Sequence, residues 1–222
     1  MNRSTSADSM ATDISSLRER YTKGTLEESE LPENPVYLFQ TWLDDAIKAK
    51  VNEPNAMALA TVDADGKPNV RYVLMKGLSE TSLRFFTNYE SRKAAEIEKN
   101  PTVSVVFWWG ELERQVRIRG SAKRISDAES EAYFNSRPVE SQIGAWASPQ
   151  SIEVKSREEL EDSFQQTREK FANGNIPKPP FWGGYEILFS SIEFWQGRPG
   201  RMHDRVEFTL QNGEWSRRRL AP

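Results

Sequence analysis

Apolar positions recur first at helical spacing and then by alternation. Leu38, Phe39, Trp42, Leu43, Ala46 and Ile47 form one stripe with a period of about 3.6 residues. Asn34 can cap this helix, and Pro35 fits its first turn. Upstream, Ile14, Leu17 and Tyr21 share the same spacing and predict a shorter helix that stops by Gly24. Thr25 to Glu33 is acidic and reads as a loop. From Ala56 the pattern becomes that of strands. Ala56–Val62 and Asn69–Lys76 flank an Asp65-Gly66 hairpin turn, and Leu83–Thr87 follows. Ser91 caps a short helix through Ile97, ending before Asn100-Pro101. Thr102–Trp109 and Arg114–Arg119 make another strand pair.

In the second half, Ser126…Glu129 and Ser156…Glu159 are capping-box patterns that open two helices. The second is expected to carry Leu160, Phe164 and Phe171 towards the core. Pro177–Gly184 reads as a loop with Phe181 and Trp182. Tyr185–Phe189 and Ile192–Trp195 read as separate strands, and a last hairpin turns at Asn212-Gly213. No repeat or composition break divides the chain. The pattern therefore predicts an α+β class, mainly β: an antiparallel barrel with peripheral helices. One domain is expected over residues 14–222, after a disordered tail at 1–13.

Composition removes whole classes of chemistry. The 222 residues contain no cysteine, which excludes disulfides, zinc–thiolate sites, iron–sulfur clusters and a Cys-tethered flavin. His203 is the one histidine, so a multi-His metal site is excluded. The longest apolar run, Val103–Trp109, is strand length and far short of the roughly 20 residues that span a bilayer. A net charge of −3 argues against a general polyanion binder. The N-terminus lacks the apolar core of a signal peptide, and a cytoplasmic protein is expected.

The basic residues are nonetheless clustered. Arg71 and Lys76 lie in an otherwise apolar strand, where long cations are paired or face a ligand, unless the sheet has one wet face. Ser91-Arg92-Lys93 opens a helix and makes a ready anion site, with a solvated turn as the bland alternative. In Arg114–Arg119 the alternation places Gln115, Arg117 and Arg119 on one face, read for Arg117 and Arg119 as solvated sheet surface. Arg137, with Tyr133 and Ser141, can gather round a phosphate, or else cap a helix end. In an extended segment Arg201, His203 and Arg205 would point the same way. A histidine between two arginines tends to stay neutral. No Gly-x-Gly-x-x-Gly, Walker or Gly-x-Ser-x-Gly pattern is present, so a nucleotide-like ligand must be held by scattered side chains.

Taken in order, these segments resemble one family: the pyridoxine (pyridoxamine) 5′-phosphate oxidases of the FMN-binding split-barrel type. The resemblance runs from Leu17 to Arg219-Leu220-Ala221-Pro222. It includes Arg18-Glu19-Arg20-Tyr21, Arg71 to Lys76, Ser91-Arg92-Lys93-Ala94, Ser136-Arg137-Pro138, Phe181-Trp182-Gly183-Gly184, Ile192 to Gly197 and His203-Asp204-Arg205. It implies a homodimer of split barrels with FMN at the subunit interface. FMN would be held by Arg71, Tyr72, Val73, Leu74, Met75, Lys76, Phe86, Thr87, Arg92, Lys93, Gln115, Gln150, Ser151, Trp195 and Arg205. The substrate phosphate would be held by Lys76, Tyr133, Arg137 and Ser141. Arg201 and His203 would lie over the substrate ring as the catalytic pair, with Arg18 to Tyr21 as a lid. Phe86 stands where some relatives have Tyr, and Glu27-Glu28-Ser29-Glu30 replaces what can be a basic stretch.

The activity implied is oxidation of pyridoxine 5′-phosphate and pyridoxamine 5′-phosphate to pyridoxal 5′-phosphate, with O2 as acceptor and H2O2 released. Rival readings are another flavin enzyme on this fold, such as a phenazine-pathway oxidase or a flavin reductase, and a non-catalytic carrier of FMN or pyridoxal phosphate. Nucleic-acid binding through Arg217-Arg218-Arg219 is a poor third, because three arginines are a weak footprint in an acidic chain.

Overall fold

Asn34 caps helix α1 (Pro35–Lys48), its side-chain oxygen accepting from Val36 N–H at 3.0 Å. The computed structural model describes Ile14, Leu17 and residues 20–222; the expected tail at 1–13 lies outside them. The predicted stripe of α1 buries Phe39, Trp42, Leu43 and Ala46, while Ile47 at its edge stays 55% exposed. The upstream helix is not formed at its described positions. Ile14, Leu17 and residues 20–24 carry no helix, and the backbone N–H groups of Thr22 and Lys23 both donate to Glu113 Oε2 instead.

Nine strands form one antiparallel sheet: β1 (Ala56–Val62), β2 (Pro68–Leu74), β3 (Gly77–Leu78), β4 (Ser82–Asn88), β5 (Thr102–Trp109), β6 (Arg114–Arg124), β7 (Trp182–Gln196), β8 (Asp204–Gln211) and β9 (Glu214–Arg219). The path runs β2-β1-β5-β6-β7-β4-β3, with β8 and β9 continuing from β7. Only Met75 and Lys76 separate β2 from β3, the two ends of that path, so the sheet curls on itself into a half-barrel. Inward-facing Met57, Leu59, Phe85, Phe107, Val116, Ile118, Ile187 and Phe194 fill the interior, which α1 closes. Alternate positions point outwards, as period-two alternation requires.

Tyr185–Phe189 and Ile192–Trp195 are not two strands but parts of β7, a single 15-residue strand. Its first half pairs with β4 and its second with β8, while β6 runs beside both with a bulge at Arg119/Gly120. The polar pair Ser190-Ser191, which reads as a break, lies on the partly exposed surface of this strand.

Among the described residues four further α-helices flank the sheet: α2 (Arg92–Lys99), α3 (Asp127–Asn135), α4 (Val139–Ala147) and α5 (Arg157–Lys170). Ser126 and Glu129 form the full reciprocal capping box of α3. Ser156 accepts from Glu159 N–H, but the Glu159 carboxylate takes Lys155 N–H instead of closing its box. Contrary to expectation, α5 buries no residue, because Leu160 and Phe164 are too thin an apolar stripe among its charges. Phe164 and Phe171 pack at the edge of a second cluster made by Phe134, Ile143, Ile176 and Trp182. No helix among the described residues is long and apolar enough to cross a membrane.

Candidate functional site

A cavity of about 740 Å³ opens between β2, β4, α3 and α4. Arg71, Lys76, Lys93 and Arg137 line it, with Thr87, Ser141 and Gln150 among their polar neighbours. One wall is aromatic. Phe86 stacks on Tyr133 with centroids 3.8 Å apart and on Trp182 at 5.5 Å, and the Arg137 guanidinium lies 4.7 Å over the Trp182 ring. Phe86 thus serves through its ring. Arg137 NH1 is buried and, among the described residues, has no hydrogen-bond partner. Burial lowers the pKa of this guanidinium, with the Tyr133 phenol opposing, and burial raises that of Tyr133. A buried cationic donor with an open bond is costly alone and suits an anionic oxygen.

Two of the cations are held by protein groups. Lys93, 9% exposed, donates from Nζ to Thr87 Oγ1 (3.0 Å), Ser91 Oγ (3.1 Å) and Gln150 Oε1 (2.6 Å). Ser91 therefore opens α2 without capping it through its side chain. Burial, then repulsion from Arg71, pushes the Lys93 ammonium down to about 8, with Glu96 opposing. Arg71 donates from NH1 to Leu59 O and Thr61 Oγ1, and from NH2 to Glu96 Oε2 at 3.2 Å. Glu96, 5% exposed, also accepts from Thr61 and Asn69; the hydrogen bonds and Arg71 outweigh burial and hold its carboxyl below the usual range. Nothing in the sequence reading assigned Glu96 a task. Its signal was a carboxylate in line with the buried Ala94 and Ile97 of a short helix.

A second group lies elsewhere on the chain. Gln115, Trp195 and Arg205 stand side by side on β6, β7 and β8, paired in register across one sheet face. Trp195 meets Tyr21 edge-on at 5.7 Å and His203 at 4.7 Å. Tyr21, Arg201 and His203 line a cavity of about 500 Å³ with Trp195. The segment is not extended, as expected above: Pro199–Arg201 is a 3₁₀ turn, with Gly200 at φ +65° and Arg201 at φ +62°. Regular strand begins only at Asp204, so Arg201 and Arg205 are not related by period two.

His203 Nδ1 accepts from Arg198 N–H at 3.1 Å. In the neutral ring the proton therefore sits on Nε2, an assignment made from the hydrogen bond. Burial and then the Arg201 charge push the His203 pKa down, in the direction anticipated. Asp204 fixes this loop, accepting from Arg198 NH1 (3.1 Å), Arg219 NH1 (2.8 Å) and Leu26 N–H (3.2 Å).

Among the remaining candidates, Tyr72, Val73 and Leu74 line the first cavity, whereas Met75 turns into the core with its peptide groups bonded to Asn55. Arg92 lies on a neighbouring surface hollow with Lys67 and Lys99. Ser151 is exposed at φ +71°. Arg18 lies outside the described residues. Arg119 is exposed, as expected of sheet surface, but Arg117 is paired to the buried Glu193. The first cavity reaches Trp182 at the start of β7, and the second reaches Trp195 near its end. At about 3.3 Å per residue these positions are roughly 40 Å apart along the strand.

Residues 43–171 match the family described as pyridoxamine 5′-phosphate oxidase, and residues 182–222 match the pyridoxine 5′-phosphate oxidase C-terminal dimerisation region. The chain is 50% identical over 212 residues to a pyridoxine/pyridoxamine 5′-phosphate oxidase of Cupriavidus necator, covering 95% of this chain and 100% of that one. It is 50% identical over 209 residues to the protein of the same name from Synechocystis, covering 94% and 98%. Among solved structures it is similar to PhzG of Burkholderia lata, determined with tetrahydrophenazine-1-carboxylic acid, with a TM-score of 0.83 and 29% identity over 89% of this chain and 98% of that one. A pyridoxamine 5′-phosphate oxidase-related FMN-binding protein of Nostoc punctiforme shares the fold, with a TM-score of 0.67 and 20% identity over 83% and 97%.

Proposed function

The chain belongs to the pyridoxamine 5′-phosphate oxidase family of enzymes, and from that premise we propose that it uses FMN to oxidise pyridoxine 5′-phosphate and pyridoxamine 5′-phosphate to pyridoxal 5′-phosphate. The observation that carries this reading is the unpartnered, buried Arg137 NH1 in a cavity lined by three further cations. The residues present fit the flavin as well. Arg71, Lys93 and Thr87 offer cations and a hydroxyl suited to its phosphate, and Gln115, Trp195 and Arg205 offer a flat ring flanked by polar donors. When bound, the flavin would supply two-electron oxidation at substrate C4′ with O2 as final acceptor and H2O2 as its product, the amine substrate also consuming water to give aldehyde and ammonia.

The chain's own residues do the rest. Arg137 would take two phosphate oxygens in its fork, with Tyr133, Ser141 and Lys76 around it, so that remote binding orients C4′. Neutral His203 would donate from Nε2, and Arg201 would place its charge beside the ring. These two groups and the Arg137 cavity are separated on one chain. In a homodimer, for which the C-terminal dimerisation region is the support, one protomer's cavity would meet its partner's Trp195–His203 face. FMN would then lie at the interface.

The phenazine-pathway alternative has structural likeness behind it, but the 50%-identical relatives and the Arg137 pocket favour a phosphorylated substrate. The test is an anaerobic absorption titration of the FMN-loaded protein with pyridoxine 5′-phosphate. Bleaching of the flavin band, with recovery and peroxide on admitting air, is expected. A flavin that stays oxidised would shift the function to another substrate or to a carrier.

A further inference from the structure

Two groups in the motifs of this chain have no task in the chemistry above: the Glu193 carboxylate and the C-terminal Leu220-Ala221-Pro222. Glu193 is 4% exposed on β7. Directly across the ladder stand Arg117 on β6 and Glu207 on β8, and Arg205 is its diagonal neighbour on the same face. Glu193 Oε1 accepts from Nε of Arg205 at 3.0 Å, with NH2 of the same guanidinium also within 3.0 Å, while Oε2 accepts from Arg117. Two like charges opposite one another are normally destabilising, but Glu207 is neutralised by Arg218, whose Nε and NH2 reach its Oε2 at 2.9 and 2.7 Å. Glu193 is therefore left to Arg117 and Arg205.

The other side of Arg205 is held by the end of the chain. Its NH1 donates to Ala221 O at 2.8 Å, and Leu220 N–H donates to Arg205 O at 2.9 Å. The guanidinium is thus clamped from two directions, and among the described residues three of its five N–H groups donate no hydrogen bond. It lies beside Trp195, its direct partner in the ladder. A buried carboxylate carries a desolvation cost that calls for paired partners. Here those partners include a residue of the ligand face.

We propose that Glu193 and the C-terminal Leu220–Pro222 segment are positioning elements for Arg205, fixing its free N–H groups towards a flavin at the Gln115–Trp195 face. The proposal rests on the reading of Arg205 as a cofactor contact. Glu193 and the tail touch no ligand; they remove the conformational freedom that Arg205 would otherwise lose on binding.

The test is titration of the apo-protein with FMN, followed by quenching of flavin fluorescence. Arg205→Ala and Glu193→Gln are each expected to raise Kd roughly tenfold, and truncation after Arg219 a few-fold. The deciding measurement is the double variant. Glu193→Gln should add nothing once Arg205 is Ala, whereas a merely structural role would add its own cost. Normal affinity in Arg205→Ala would overturn the reading beneath the proposal and the proposal with it. Weak binding in Arg205→Ala beside normal binding in Glu193→Gln, or additive losses in the double variant, would overturn the positioning role alone. Should Glu193→Gln fail to fold, the truncated chain with and without Arg205→Ala carries the same cycle.

Discussion

Lys93 Nζ stands 2.6 Å from Gln150 Oε1, joining the first turn of α2 to the loop after α4 across 57 residues of chain. All three ammonium protons are used inside the protein. A phosphate oxygen at this lysine must therefore replace one of those three neutral acceptors.

The same geometry sets a pH dependence. In the ligand-free protein the Lys93 ammonium is lowered to about 8, so it loses its charge in mild alkali. A phosphate dianion favours the charged form and raises that value. Above pH 8 the complex then holds more protons than the free protein, and affinity must fall as pH rises. Between pH 7 and pH 9 the FMN Kd should rise about tenfold. Lys93→Met should bind more weakly at pH 7 and show a flat profile over the same window. A flat profile in the unaltered protein would refute the assignment.

Arg137 makes a sharper prediction, because its NH1 is buried without a partner among the described residues. Arg137→Ala should lower kcat/KM for pyridoxine 5′-phosphate by roughly 10- to 100-fold, the value of one or two charge-assisted hydrogen bonds. Arg137→Lys should recover little, since an ammonium lacks the fork and the planar face that rests on Trp182. Steady-state kinetics beside an FMN titration check this. Lost FMN affinity with unchanged kcat/KM at saturating flavin would move Arg137 from substrate to cofactor.

How far the sequence carried depended on whether local rules governed. The α1 stripe, the Asp65-Gly66 and Asn212-Gly213 turns and the Ser126–Glu129 box each follow from residues close in the chain, and each is present. Helix α4 was legible but unread, since Val139, Ile143 and Ala147 recur every four residues. The length of β7 was not legible, because only tertiary pairing with β6 overrides the polar Ser190-Ser191. Of the candidate site, the cations were found as clusters. Their separation into two cavities, and the Glu96 and Glu193 carboxylates behind Arg71 and Arg205, required long-range register.

His203 separates two roles by substitution. Its Nδ1 is occupied by Arg198 N–H, so the neutral ring offers Nε2–H as a donor and has no free lone pair for a base. His203→Gln, whose amide N–H reaches towards the same place, should retain more kcat/KM than His203→Asn. A general base would make the two equally poor. Protonation of Nδ1 would set an N–H against the Arg198 N–H it now accepts and break the contact that orients the ring; burial and Arg201 lower the histidine pKa, so this acid limb of kcat/KM should fall below the ordinary histidine range and vanish in His203→Gln.

Gly120 tests whether the bulge that lets β7 run unbroken is needed for both halves of the site. A Cβ there would lie 2.1 Å from Leu188 O, a backbone atom that cannot swing away, where the β6–β7 register shifts. Gly120→Ala should therefore cost about 3 kcal/mol, which in a chain of this size lowers Tm by roughly 6–12 °C. Gly66 is the control. Its φ of +81° also favours glycine, but nothing lies within 4 Å of the added carbon. Gly66→Ala should cost only about 1 kcal/mol, from backbone conformation alone. Because β7 carries Trp182 in one cavity and Trp195 in the other, Gly120→Ala should weaken FMN binding along with the fold, and Gly66→Ala should not. Thermal melts and flavin titrations of the two variants decide it. Equal Tm losses would mean that the close approach of Leu188 O is relieved at little cost, and that glycine is not required at position 120.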